Sequence, residues 1–376
     1  MKVALVLECL DWRKGGLESW TWQFTQLLRN KGIEVHVVAF GFHPSVAELG
    51  INIHKLKSMP RSRMKRAEVL EQYLREKNFD VIHDMGVGWF ADIFHLQGGS
   101  PLATWQHNLL RIPRWRRFPF LRANRHRQMH EIERRQYALP GSIAVAVSNM
   151  VKEHLQQLHH LNDEKIRVIY NGVNLKRFTP EHRAEHRDSI RTRLGLKNEV
   201  LFFLLARNPR LKNAATLIRA LGLLAKQNKP VHLVIAGSDK TAPYLRLASK
   251  CGAASCITFP GSVDTVPYFA AADVAVLPTW YDPCSLFTLE SWASGIPVIT
   301  TTFNGASELM IPGTHGYTVK DPADPVELAE KMSLMLDDTA RAKMNTASRE
   351  LALHHSFEKQ ADQFIDLYNE IKMAKK

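Results

Sequence analysis

The chain has 376 residues, 45% hydrophobic and 23% charged, with a formal net charge of +13. That balance fits two globular domains, each able to bury a core, and excludes a disordered chain; no segment approaches the roughly 18 uninterrupted apolar residues of a membrane-spanning helix. The cationic excess calls for an anionic partner, and charge alone leaves nucleic acid, lipid head groups and a phosphorylated substrate open.

Met1-Lys2-Val3-Ala4-Leu5-Val6-Leu7-Glu8 lacks the length and cleavage pattern of a signal peptide and reads as a buried first strand, Val3 to Leu7. Cys9, Cys251, Cys256 and Cys284 show neither metal spacing nor a disulfide-rich pattern, so free thiols in a reducing cytoplasm are expected. After the first strand comes Asp11-Trp12-Arg13-Lys14-Gly15-Gly16-Leu17-Glu18, whose paired glycines open a helix, Leu17 to Asn30. Gly15 and Gly16 let the backbone approach a ligand closely, and the helix N-terminus behind them favours phosphate. This is not the G-x-G-x-x-G dinucleotide fingerprint.

Further strands are predicted at Glu34 to Phe40, Ile51 to His54, Val81 to His83, Ile143 to Val147 and Ile166 to Ile169, with a helix over Lys65 to Lys77. Between Arg111 and Arg135 lie Arg114, Arg116, Arg117, Arg122, Arg125, Arg127 and Arg134, mixed with Ile112, Trp115, Phe118, Phe120 and Leu121. Such a mixture suits the interface of an anionic membrane, and it equally suits an Arg-rich solvated helix. Tyr170-Asn171-Gly172-Val173-Asn174 marks a turn, followed by the polar run Thr179 to Arg193, so a domain boundary is placed after residue 174.

In the second half, strands are predicted at Val200 to Ala206, His232 to Ala236, Ile257 to Phe259, Val274 to Pro278 and Pro297 to Thr300. Alternation of strand and helix throughout gives an α/β chain with doubly wound parallel sheets, which bind ligands at the carboxyl ends of their strands. Arg207-Asn208-Pro209-Arg210-Leu211-Lys212-Asn213 places cations at such an end, just before a helix. Gly237 closes one strand; Phe259 and Gly261 close the next. The final segment, Ser356 to Met373, has apolar residues at helical spacing.

The most informative stretch is Tyr281-Asp282-Pro283-Cys284-Ser285-Leu286-Phe287-Thr288-Leu289-Glu290, leading to Gly295-Ile296-Pro297-Val298-Ile299. Pro283 and Ser285 suit a helix start, where the N–H groups of Cys284, Ser285 and Leu286 attract phosphate. Glu290, inside the helix, can accept hydrogen bonds from two neighbouring hydroxyls, as a carboxylate holds a ribose, while Asp282 reaches the other way toward sugar hydroxyls. A solvated acid beside a helix-capping acid is the plainer alternative.

This motif with its flanks resembles the signature of the retaining GT-B glycosyltransferases of glycosyltransferase family four, in which two glutamates are separated by seven residues. Here the first acid is Asp282, one methylene shorter, which bears on the donor sugar. The resemblance spans nearly the whole chain, is strongest from Arg207 to Pro297, and implies two doubly wound, Rossmann-like domains facing across a cleft. An acceptor-side domain would cover 1–174 and a nucleotide-sugar domain 175–355, with 356–376 a helix returning to the first. It also implies retaining transfer of a hexose-type sugar from a nucleotide-diphosphate donor to a glycan or lipid-linked acceptor, in lipopolysaccharide core or cell-surface polysaccharide synthesis.

By the same resemblance Arg207, Lys212, Gly15, Gly16, Ser285 and Leu286 bind the diphosphate, and Glu290 binds the ribose. Gly237, Phe259 and Gly261 lie on the nucleobase side, and Asp282 holds the sugar. Ala91 to Ser100 looks like the loop beside the donor sugar; His95 is the first candidate contact there and Asp92 the second, with Gln97 where some relatives carry histidine. A packed, hydrogen-bonded histidine is the alternative at His95. No metal or cofactor is expected, since cationic side chains replace a metal. The partners expected are a nucleotide sugar, its acceptor and an anionic inner-membrane surface contacted through Arg111–Arg135, placing the protein in the cytoplasm, peripheral to that membrane. A sugar-nucleotide epimerase or phosphorylase on the same fold is a second reading; nucleic-acid binding has no motif to support it.

Overall fold

The computed structural model describes residues 1–13, 15–112 and 124–375, without the side chains of 124–126. Contacts divide the chain into two compact units, Met1–Asn171 together with the last helix, and Gly172–Ser356.

The first unit is built on a seven-stranded sheet of order β3-β2-β1-β4-β5-β6-β7. Its strands are β1 (Lys2–Leu10), β2 (Glu34–Phe42), β3 (Asn52–Lys55), β4 (Val81–Asp84), β5 (Ile93–Leu96), β6 (Ile143–Ala146) and β7 (Ile166–Val168), all parallel. Val3, Ala4, Leu5 and Val6 are wholly buried, the unbroken apolar run of a strand covered on both faces. Helix Phe357–Ala374 closes one side of this unit. Trp20 Nε1 donates to Gln360 Oε1 at 2.9 Å, His83 Nδ1 and the Tyr368 hydroxyl lie 2.6 Å apart, and Phe24 packs edge-on against Phe364. Phe24 and Phe364 are fully buried, each contributing about 2–3 kcal/mol of apolar transfer.

The segment Ala91 to Ser100, expected as a loop, contains β5, an interior strand whose four residues are all buried. The histidine within Ile93-Phe94-His95-Leu96 interrupts the apolar run, and this hides the strand from a pattern search.

The second unit carries a six-stranded parallel sheet of order β10-β9-β8-β11-β12-β13. Its strands are β8 (Val200–Leu205), β9 (Val231–Ala236), β10 (Ile257–Gly261), β11 (Val274–Leu277), β12 (Val298–Thr301) and β13 (Gly316–Val319). The polar run after the first unit forms helix His182–Arg193, which docks through charge more than through an apolar stripe. Buried Asp273 receives Arg187 Nη2 at 2.6 Å, Arg191 Nη1 at 3.1 Å and the Leu201 N–H at 2.8 Å. Among the described residues no helix is long and apolar enough to cross a membrane.

Candidate active site

In the second sheet the order of filling reverses between neighbours β8 and β11, and the crevice outside the carboxyl ends of such a pair is where doubly wound sheets bind ligands. The turn after β8 is held by Asn208, whose Oδ1 accepts the Leu211 N–H at 3.2 Å and whose carbonyl accepts the Lys212 N–H at 3.1 Å. The segment after β11 leans on that turn: the Trp280 N–H and the Thr279 hydroxyl both donate to the Leu211 carbonyl at 3.4 Å. The result is an ion pair between Lys212 Nζ and Asp282 Oδ2, with Arg207 exposed at the start of the same turn. Asp282 itself is fixed by its backbone, its N–H donating to the Phe303 carbonyl at 2.9 Å and its carbonyl accepting the Gly305 N–H at 2.8 Å.

Helix Leu286–Ala293 begins immediately behind. Ser285 is its N-cap, with Oγ accepting the Thr288 N–H at 3.4 Å. The expectation that the Ser285 N–H faces a diphosphate is corrected here, because that group donates to Asn304 Oδ1 at 3.2 Å. The N–H groups of Leu286 and Phe287, in the first turn, have no partner within the helix. Leu286 and Glu290, one turn apart, are both partly exposed, while Phe287, Thr288, Leu289 and Ser291 are buried, so one helix face joins the open N-terminus to the Glu290 carboxyl. Protein crowding around that carboxyl pushes its pKa up to about 8, with Arg177 pulling the other way.

Asn304 was not singled out by sequence reasoning, although Asn304-Gly305 after a predicted strand is a turn signal. It is fully buried. Its Oδ1 accepts from the Ser285 and Ala306 N–H groups at 3.2 Å, and its Nδ2 donates to Thr288 Oγ1 at 3.0 Å and Thr300 Oγ1 at 3.1 Å. One side chain therefore fixes the helix start to the end of β12.

Of the residues expected on the nucleobase side, Gly237 packs against the backbone of Ala206 and Arg207. The Gly237 N–H donates to the Gly261 carbonyl at 2.7 Å. Gly237 has φ +98°, and a Cβ there would stand 3.2 Å from Ala206 C and 3.3 Å from the Arg207 nitrogen. Only glycine lets the ends of β8, β9 and β10 close up in this way. Phe259, within β10, is half-buried.

Gly15 and Gly16 belong to the first unit, at the carboxyl end of β1 and the start of helix Gly16–Asn30. Asp92 is a correction. It stands at the amino end of β5, where its Oδ2 accepts the Ile82 N–H at 2.7 Å and pairs with Lys375 Nζ at 2.8 Å, so it ties strands and chain terminus together at the edge opposite to the ligand-binding one. His95 sits near the other end, 1% exposed, with ring centroids of Trp20, Phe364 and His83 at 4.9, 5.0 and 5.2 Å. Burial drives its pKa down to about 3, so the ring is neutral. Neither of its nitrogens has a hydrogen-bond partner among the described residues, and the same holds for both amide atoms of Gln97. His95 is thus packed yet unsatisfied, and it lines a cavity of about 450 Å³.

Arg114, Trp115, Arg116, Arg117, Phe118, Phe120, Leu121 and Arg122 of the basic stretch lie outside the described residues, as does the Arg125 side chain. Within the described part, Arg134 and Arg135 both pair with Glu131, at 2.8 and 2.7 Å. His182, Glu185 and His186 bring possible metal-ligand atoms within 4.8 Å of one another on helix His182–Arg193.

Residues 14–177 match the family model Glycosyltransferase Family 4, and residues 198–338 match Glycosyl transferases group 1. An uncharacterized glycosyltransferase of Methanocaldococcus jannaschii is 28% identical over 231 residues, 60% of this chain and 59% of that protein, so the match spans less than two thirds of that relative's length. In three dimensions the chain is similar to WaaG, a glycosyltransferase involved in lipopolysaccharide biosynthesis, with TM-score 0.82 and 18% identity over 97% of this chain and 99% of that one. Anabaena HepE in complex with UDP-glucose gives TM-score 0.75 and 18% identity over 98% of this chain and 100% of the other. With both family models in sequence order and a fold of this likeness, the chain belongs to the family four glycosyltransferases of GT-B type.

Proposed function

We propose that the protein transfers a hexose-type sugar, with retention of anomeric configuration, from a nucleoside-diphosphate donor to a glycan or lipid-linked acceptor. The observation that carries this is the meeting of Lys212 with Asp282 at the β8–β11 crevice, beside an open helix start and Glu290. Arg207, Lys212 and the Leu286 N–H take the charge that gathers on the diphosphate as the glycosidic bond breaks, without reorganising at that moment. Glu290 holds the ribose hydroxyls and Asp282 the sugar. Attack on the donor's front face, with the leaving phosphate taking the acceptor proton, needs no protein nucleophile and no metal.

The likeness to a protein solved with UDP-glucose supports a nucleotide-sugar donor, and the likeness to WaaG supports a place in lipopolysaccharide or surface-polysaccharide assembly. The Arg111–Arg135 stretch supports work at the inner face of an anionic membrane. The test is to incubate the protein with UDP-glucose, UDP-galactose, ADP-glucose and GDP-mannose and a glycolipid extract as acceptor. Release of nucleoside diphosphate with a product of unchanged anomeric configuration by proton NMR is expected; inverted product, isomerised donor or free sugar phosphate would contradict the reading.

A further inference from the structure

The cavity of the first unit is lined by Met85, just after β4, by Phe94, His95 and Leu96 of β5, and by Trp105 and Ile132 of two flanking helices. At about 450 Å³ it lies within the range of small-molecule sites, about 300–1,000 Å³. Most of the polar groups on its wall are already engaged by the protein. Glu133 accepts from the Ser100 hydroxyl at 2.7 Å and the Leu102 N–H at 3.2 Å, Gln136 Nε2 donates to the Gly88 carbonyl at 2.6 Å, and the Thr104 hydroxyl reaches the Gly98 carbonyl at 3.4 Å. A sugar, which needs a hydrogen-bond partner for nearly every hydroxyl, finds few here; a hydrocarbon chain needs none. His95, also on the wall, is a buried ring whose two nitrogens have no hydrogen-bond partner among the described residues. One polar atom on an otherwise apolar ligand would pair with one of these nitrogens.

Helix Pro101–Leu110, which forms one wall, ends in Leu110, 53% exposed, and the chain after it carries the Arg-rich and aromatic sequence of residues 111–135. An apolar cavity walled by a helix that precedes such a sequence suits a ligand drawn from a lipid surface.

We propose that this cavity receives the hydrocarbon portion of an amphipathic, lipid-linked acceptor, with His95 hydrogen-bonding the oxygen that joins chain to sugar. This rests on the reading of the protein as a sugar transferase and narrows its acceptor from any glycan to a glycolipid. Burial of each methylene tightens binding about fourfold.

The experiment measures binding of methyl, butyl, hexyl and octyl β-D-glucopyranosides, each below its micelle-forming concentration, by saturation-transfer NMR, with UDP binding followed in parallel by thermal stabilisation. Affinity is expected to rise roughly two- to fourfold per methylene, with saturation strongest on the chain protons. Thr104→Trp and Asn108→Trp, one turn apart on the wall, fill the cavity from separate positions, and each should abolish the chain-length dependence while UDP still stabilises the protein. A flat series in the wild type, or a series undiminished in whichever filled variant still binds UDP, would overturn the proposal. Failure of UDP to stabilise the wild type alongside a steep alkyl series would instead remove the donor reading and leave the cavity assignment standing.

Discussion

Lys212 Nζ is ion-paired with Asp282 across the ends of two adjacent strands, and both side chains are largely buried, at 24% and 10% exposure. The same ammonium cannot hold this carboxylate and a diphosphate equally well, so donor binding competes with the pair. Asp282→Asn should therefore leave UDP binding unchanged or tighten it several-fold while reducing sugar transfer by about a hundredfold or more, an effect on the scale of a lost transition-state contact. Calorimetric titration with UDP, alongside turnover, checks this. Equal losses in both would make Asp282 a strut instead of a sugar contact.

Glu290 links stability to pH. Its carboxyl is pushed up to about 8 in the folded protein against an ordinary value of 4.5, so its contribution is fully present in acid and is lost as pH rises through that interval. Glu290→Gln should remove this loss, raising Tm by several degrees at pH 8, at most on the order of 4 kcal/mol, and leaving it little changed at pH 4. Donor binding should show the opposite slope. If the ribose requires the carboxylate, UDP affinity climbs toward pH 8 in the wild type and stays flat in the variant. Parallel pH profiles for the two proteins would rule out the ribose role.

Asn304 makes four buried hydrogen bonds that hold the helix start in place. Asn304→Ala strands several of their partners and should cost about 2–4 kcal/mol, with UDP binding weakened at least tenfold at temperatures where the variant is folded. Denaturant titration and calorimetry measure the two effects separately. Unaltered UDP affinity in the folded variant would confine Asn304 to stability.

His83 and His95 are buried as neutral rings, their pKa values driven down by desolvation, that of His95 to about 3. The unfolded chain takes up protons that these rings refuse, so stability falls as pH drops below the ordinary 6.5, by up to about 1.4 kcal/mol per pH unit for each ring. Asp84, raised to about 6 by burial, works in the opposite sense and offsets part of the fall. His95→Phe should flatten the decline in Tm between pH 6.5 and 4. An identical slope in that variant would show that the ring is solvated.

Much of this was legible because it depends on short local patterns. The runs at Val3 to Leu7 and Val200 to Ala206 are continuous β-branched or apolar strands, and Asp282 to Glu290 carries its own cap and carboxylates. What escaped depends on partners distant in sequence. β5 is hidden by His95, whose burial makes sense only once Trp20 and Phe364 pack against it. Asp92 read as a site acid because its bond to the Ile82 N–H follows from strand register, which a single sequence does not display. The polar run Thr179 to Arg193 showed no helix because the helix there docks through arginines onto Asp273, 82 residues beyond Arg191, instead of through an apolar stripe. The engagement of the Ser285 N–H by Asn304 belongs to the same class.

The central claim is that the β8–β11 crevice grips a nucleoside diphosphate through Arg207 and its neighbours, and it is tested most directly by calorimetric titration of wild type and Arg207→Ala with UDP and with UMP. A loss of about tenfold or more for UDP with little change for UMP is predicted, since the arginine addresses the outer phosphate. Equal losses for both nucleotides, or none for either, would contradict it.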